Sequence, residues 1–243
     1  MTYCVAIKVN AGVVFCSDSR TNAGVDHVSI YSKMFHFGIP GYRQLVITSA
    51  GNLATTQAVI ARIRKDIKDG AAISLENVCT IYDAADYIGQ LSVAIQEKYA
   101  QHNNSVNFEA SFLLGGQIGI DPPAVMLIYP QGNYIATCDQ TPYFQIGESK
   151  YGKPVLDRIL RPDTALDTAS LCALVSMDST MRSNLTVGPP IELMSYATDS
   201  GVMNHSVFAA DDEYLRDLTR SWDQQIVQAF AHLPTPPNNQ STN

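Results

Sequence analysis

The spacing of apolar residues along the chain changes several times, and each change marks an element. Residues 2–9 and 12–18 are runs of β-branched, aromatic and other apolar residues around an Asn10-Ala11-Gly12 turn, which predicts an N-terminal hairpin. Further strand-like runs lie at 28–32, 34–37 and 44–50. From Asn52 the spacing becomes helical, with Leu53, Ala54, Gln57, Ala58, Ile60, Ala61 and Ile63 on one repeat and Lys65 and Lys68 near its end. A second helix is predicted over 83–101. Strand patterns return at 108–116, 124–129, 133–136 and 143–146, helices at 150–160 and 164–182, a strand at 191–197, and a last helix at 211–231.

Strands, two helices, strands and two helices in that order predict one α+β domain over residues 1–233. Two antiparallel sheets would pack face to face with helices on both outer sides. Periodicity alone does not select this four-layer αββα arrangement. The Pro-, Asn- and Ser-rich stretch 234–243 is expected to be a flexible tail.

Composition narrows the function. A net charge of -7 with scattered basic residues argues against a nucleic-acid or anionic-membrane surface, since both demand clustered positive charge. No apolar run is long enough to span a bilayer, and no secretory signal is visible, so a cytoplasmic protein is expected. The five cysteines form no CxxC pair and suit a reducing compartment. The histidines make no HExxH or His/Cys cluster, so no metal site is expected, and Gly115-Gly116 lacks the context of a nucleotide-binding loop.

The chemistry sits at the N-terminus. Removal of Met1 would leave Thr2 with a free α-amine, whose ordinary pKa of about 7.7–8.0 lets it act as a base near neutrality. A threonine with its own amine is a complete nucleophile–base pair and needs no histidine. It does need a cation to stabilise the alkoxide and a carboxylate to hold that cation. Asp18, at the end of the strand paired with the one carrying Thr2, and Lys33, after a further strand-like run, are the candidates. They also fit a purely structural ion pair; their joint spacing from Thr2 favours the chemical role. Cys4 and Cys16 lack an adjacent histidine and read as buried side chains, and Arg20 as a residue that holds the turn.

Thr2, Ser17-Asp18-Ser19-Arg20, Lys33 and Ser49-Ala50-Gly51 together resemble the start of proteasome β-subunits and their bacterial relative HslV. The string SDSRTNAGVDH over 17–27 is closer to the bacterial branch called Anbu, the ancestral β-subunit. The resemblance runs to about residue 232. It implies the αββα fold of N-terminal nucleophile hydrolases, Thr2 as nucleophile, Asp18 and Lys33 as its charge partners, and the Gly51 amide as oxyanion donor. Gly51 also precedes the helix starting near Asn52, where free amides favour negative charge.

Two places depart from the family pattern. The run RSNLTVG over 182–188 matches a loop that carries an aspartate and a serine supporting the terminal amine; here Ser183 and Thr186 stand at those places, with Asp178 as the substitute carboxylate. At Gly147-Glu148-Ser149 the family usually has Gly-Ser-Gly, so Glu148 or Ser149 takes the serine's place. A carboxylate there would make the amine a poorer base.

The resemblance therefore implies a threonine peptidase or amidohydrolase that acts on a peptide or protein, uses no cofactor, and self-assembles into a ring or an open helical ring. No unfoldase partner follows from these residues. A small-amide hydrolase of the same superfamily and a catalytically silent assembly protein are the competing readings. By analogy the substrate pocket is lined by the loop 21–26 and by residues 49–56.

Overall fold

The computed structural model describes residues 2–22, 28–101 and 106–236. The stretch 23–27, with His27 and most of the predicted pocket loop, lies outside the described residues, as do Met1 and the tail from 237. Contacts divide the chain into two compact units, one ending at Ala210 and one starting at Asp211.

The first unit is built on two five-stranded antiparallel sheets. β1 (Tyr3–Val9) and β2 (Gly12–Asp18) form the predicted hairpin, with Cys4 opposite Ser17 and Val9 opposite Gly12. They occupy the middle of the first sheet, flanked by β10 (Tyr143–Gly147) beside β1 and by β11 (Ile191–Ala197) and then β12 (Met203–Phe208) beside β2. The second sheet runs β5 (Met34–Ile39), β6 (Arg43–Gly51), β7 (Ala110–Ile118), β8 (Ala124–Ile128) and β9 (Tyr134–Ala136), each paired with the next. A separate two-stranded ribbon pairs β3 (Arg20–Asn22) with β4 (Val28–Ile30).

The central strands explain why the sequence shows apolar runs and not clean alternation: β1 and β2 are buried on both faces. One face meets the second sheet, where Phe15, Val46, Leu113 and Met194 share a core. The other meets α4 (Leu166–Ser183), which packs with α3 (Lys153–Ile159). On the far side of the second sheet, α1 (Leu53–Lys68) and α2 (Ile81–Ala100) bury Ile60, Ile63 and Ile88 against Leu45, Ile47 and Leu114. Each fully buried aliphatic side chain contributes about 1.5–3 kcal/mol. The layers are thus helix, sheet, sheet, helix, as the sequence predicted.

Several bounds differ from the sequence reading for local reasons. β3 and β12 went unpredicted because neither has an apolar alternation; β12 (MNHSVF) is a largely exposed edge strand. α2 starts at Ile81, two residues early, because Thr80 and Asp83 cap it reciprocally: the Asp83 amide donates to Thr80 Oγ1 at 3.1 Å and the Thr80 amide to the Asp83 carboxylate at 2.9 Å. α3 starts late, at Lys153, with Pro154 in its first turn. The second unit contains α5 (Glu213–Ala231), capped by Asp212 and amphipathic, with no residue buried.

Candidate active site

Asp18 is the last residue of a central strand, so donors reach it from both sides. Its fully buried carboxylate accepts the Tyr3 amide of β1 at 3.0 Å through Oδ1 and the Gly188 amide, just before β11, at 3.3 Å through Oδ2. Lys33, also buried, donates from Nζ to Oδ1 at 2.7 Å and to the Arg20 carbonyl at 2.6 Å. Burial outweighs the lysine and the two amides, and holds the Asp18 carboxyl above the usual carboxylate range. Lys33 is pinned in turn, since its carbonyl accepts the Ser49 amide at 3.0 Å.

Thr2 enters β1 directly and lies on a cavity of about 390 Å³ that Lys33, Ser49, Ala50 and Gly51 also line. Gly51 ends β6 with φ +113°, and a Cβ there would stand 2.4 Å from the Glu109 carbonyl oxygen. Only glycine fits that close approach. The next residue, Asn52, caps α1 by accepting the Thr55 amide at 3.2 Å, so the positive end of the helix opens at the cavity. Thr2, Asp18, Lys33 and Gly51 thus come from four separate strand ends, the start of β1, the end of β2, the start of β5 and the end of β6. Thr21 lines the same cavity, as do Ser49, Ala50, Leu53 and Thr56 from the predicted 49–56 segment.

The supporting residues divide. The Arg20 guanidinium donates to the Leu185 carbonyl at 2.6 Å, tying the loop after α4 to the ribbon, while its own carbonyl holds Lys33. Ser149 and Ser183 are exposed, and Asp178 is buried on α4 but is not among the residues that line the cavity. Thr186 donates from Oγ1 to Asn184 Oδ1 at 2.6 Å. Asn184 then donates from Nδ2 to Glu148 Oε2 at 3.2 Å, and the Glu148 amide donates to the Thr2 carbonyl at 2.7 Å. Glu148 is buried, and Gly147, φ +81°, passes so near the Thr2 carbonyl that no Cβ would fit. Asn184 is the residue that the sequence reading missed, although it lies between the two it selected.

Cys4 and Cys16 are fully buried, and burial pushes the Cys4 thiol up to about 12 and the Cys16 thiol well above its ordinary value. Neither offers a thiolate nucleophile. Among the described residues no group of three or more His, Cys, Asp or Glu side chains is placed to hold a metal ion, and no helix is long and apolar enough to cross a membrane.

Residues 2–194 match the family model described as proteasome subunit. Among solved structures, Anbu from Yersinia bercovieri is 45% identical, with a TM-score of 0.91 over 97% of this chain and 99% of that one. The helical assembly of the Anbu complex from Pseudomonas aeruginosa is 44% identical, with a TM-score of 0.92 over 98% and 99%. A Gly-1 mutant of Anbu from Hyphomicrobium sp. strain MC1 is 41% identical, with a TM-score of 0.91 over 98% and 100%. No match is found among curated proteins.

Proposed function

Because this chain belongs to the proteasome subunit family, we propose that it is an N-terminal threonine hydrolase of peptide or protein amides, with Thr2 the nucleophile once Met1 is removed. The observation that carries this reading is the buried Asp18–Lys33 pair beside the cavity that Thr2 and Gly51 share. A lysine fixed there by a carboxylate and a carbonyl stabilises negative charge on the threonine oxygen.

In the proposed reaction the Thr2 amine takes the proton of its own hydroxyl as Oγ bonds to the scissile carbonyl carbon. The Gly51 amide donates to the resulting oxyanion. The C–N bond then breaks, the proton held by the amine passes to the leaving nitrogen, and an ester remains on Thr2. Water, deprotonated by the same amine, adds to the ester; the C–Oγ bond breaks, the acid departs and Oγ recovers its proton.

Self-assembly of copies of this chain, as a ring or open helical ring in the cytoplasm, belongs to the same proposal. It is supported by the helical assembly of the Pseudomonas aeruginosa relative and by the uncovered apolar side chains of α5. One observation favours a second reading, a catalytically silent assembly subunit. Glu148 adjoins Thr2 through its amide, which donates to the Thr2 carbonyl at 2.7 Å; the silent reading takes its buried carboxylate to face the terminus, where a negative charge makes the amine hold its proton. Intact mass spectrometry after treatment with a threonine-directed β-lactone separates the two. Loss of Met1 with an adduct on Thr2 supports the hydrolase; processed Thr2 that takes no adduct supports the silent subunit.

A further inference from the structure

The cavity beside Thr2 extends well past the reacting atoms. Leu53, Thr56, Gln57, Ile60, Ala61 and Arg64 of α1 line it at spacings of three and four. That is one face of the helix, about 16 Å of axis at 1.5 Å per residue. Thr2 and Gly51 stand at the near end, Arg64 at the far end. The Arg64 guanidinium lies over the Phe35 ring, 5.6 Å from its centroid, so the far wall is an aromatic face with a cation on it.

The charge of this cavity is one-sided. Among the described residues its lining includes no Asp or Glu, and its two cations are Lys33 and Arg64. Lys33 is matched by Asp18. The neighbours of Arg64 along the helix are matched as well, Arg62 by Asp66 and Lys65 by Asp69, whereas Arg64 has no ion pair among the described residues. A chain with a net charge of -7 thus keeps an unmatched cation at the end of an apolar channel that starts at its candidate nucleophile.

We propose that this channel receives the substrate side chain preceding the scissile bond and selects one with an apolar stem and an anionic end. Arg64 is the specificity-determining residue, and glutamate is the encoded residue of this kind. The stem lies along Ala50, Ile60 and Ala61, and the carboxylate meets the guanidinium, which offers a planar fork of donors. Lysine or arginine in the same position would face two cations and, among the described residues, no anion. The inference rests on the proposed function for placing the scissile bond at Thr2.

The test reads binding, which needs no turnover. Acetylated tetrapeptides ending in glutamate, glutamine or lysine are titrated calorimetrically into the full-length assembled protein and into Arg64→Met and Arg64→Glu. Glutamate should bind about fivefold tighter than glutamine, the upper end for an ion pair that water still reaches. Arg64→Met should abolish that ratio while glutamine affinity holds, and Arg64→Glu should reverse the order in favour of lysine. Equal affinities in the parent, no binding of any peptide, or a glutamate preference that survives both substitutions overturns the inference. β-Lactone labelling of the same samples keeps the two readings apart: an adduct on Thr2 without charge preference sinks only the role of Arg64, and charge preference without an adduct sinks only the hydrolase.

Discussion

Replacing Asp18 by asparagine should separate the chemistry of this site from its stability. The carboxylate accepts three donors, and their geometry dictates how the amide must sit. With its oxygen at Oδ1 it keeps the Tyr3 amide and Lys33; its NH2 then faces the Gly188 amide, the longest of the three contacts at 3.3 Å. The hydrogen-bond loss is therefore small, and the charge loss is the main effect. Leaving one member of a buried pair unmatched costs about 3–5 kcal/mol if it stays charged. Lys33 would be left with the Arg20 carbonyl and a neutral amide oxygen as its acceptors. Removal of the buried carboxylate also relieves its own desolvation, the cause that raises its pKa. Net stability should fall by no more than about 3 kcal/mol by urea unfolding.

Catalysis should suffer more, because without the carboxylate no anion holds Lys33 Nζ in place to stabilise the threonine oxygen. A loss on the scale of a broken buried pair, about 3–5 kcal/mol, corresponds to a drop of about 10²–10⁴ in the rate of β-lactone adduct formation on Thr2. The pH dependence carries a sign as well. Asp18 has a folded pKa above its unfolded value of about 3.9. Its titration thus contributes stability that is present below the unfolded pKa and lost as pH rises through the folded one. Asp18→Asn should lose that component, and the parent's adduct rate should fall on its acid side at a pH above the ordinary aspartate range, where the ion pair is protonated away. An Asp18→Asn rate within about fivefold of the parent would refute the reasoning, since no charge effect of this size would then reach Thr2.

Glu148→Gln keeps the fold of the Thr2 carbonyl contact but removes the negative charge; adduct formation at pH 7 should rise several-fold, about tenfold per pKa unit by which the amine becomes less basic, read from a pH–rate profile. Gly51→Ala forces a Cβ to within 2.4 Å of the Glu109 carbonyl at φ +113°, so thermal melting should show a loss of at least about 1–3 kcal/mol, with labelling of Thr2 lost as the strand end shifts. On α5, Val227 and Phe230 are 69% and 73% exposed, and Val227→Asp with Phe230→Asp should leave each chain folded yet lower the assembly mass by light scattering. An unchanged mass would mean that α5 takes no part in assembly.

The parts of the site legible in the sequence are those whose position follows from chain order. Thr2 and Asp18 are ends of one hairpin, and Ser49 to Asn52 are the junction of a buried strand with a helix, so an apolar run meeting a helical repeat places all of them. Lys33 follows because its neighbour strand pairs with β6. The Glu148–Asn184 link was not legible for the opposite reason: 36 residues separate its ends, and each sits where the chain leaves a regular element. At Gly147 the left-handed turn ends the alternation of β10, so periodicity does not say whether Glu148 or Ser149 faces Thr2; the structure buries Glu148 and exposes Ser149. At the end of α4 the helical repeat likewise stops at Ser183, which is exposed, and Asn184 at the cap position makes the contact.

In the proposed reaction those two classes of residue act on different parts of Thr2. There Asp18, Lys33 and Gly51 serve the negative charge that develops on oxygen, whereas Glu148, Asn184 and Thr186 form a line of contacts that meets Thr2 at its carbonyl, through the Glu148 amide. The oxygen side is built on strand ends locked by backbone hydrogen bonds, so altering it disturbs the fold. The Glu148–Asn184–Thr186 side is a line of side-chain contacts that the Lys150 and Thr186 amides also donate into, and it meets Thr2 through the Glu148 amide. A nucleophile supported on the oxygen side but facing a carboxylate on the other is a weak base at neutral pH and a better one as pH rises past the amine's pKa. If Glu148 is that carboxylate, the proposed hydrolase should show slow or alkaline-shifted turnover, which the pH–rate profile of Glu148→Gln against the parent reads directly.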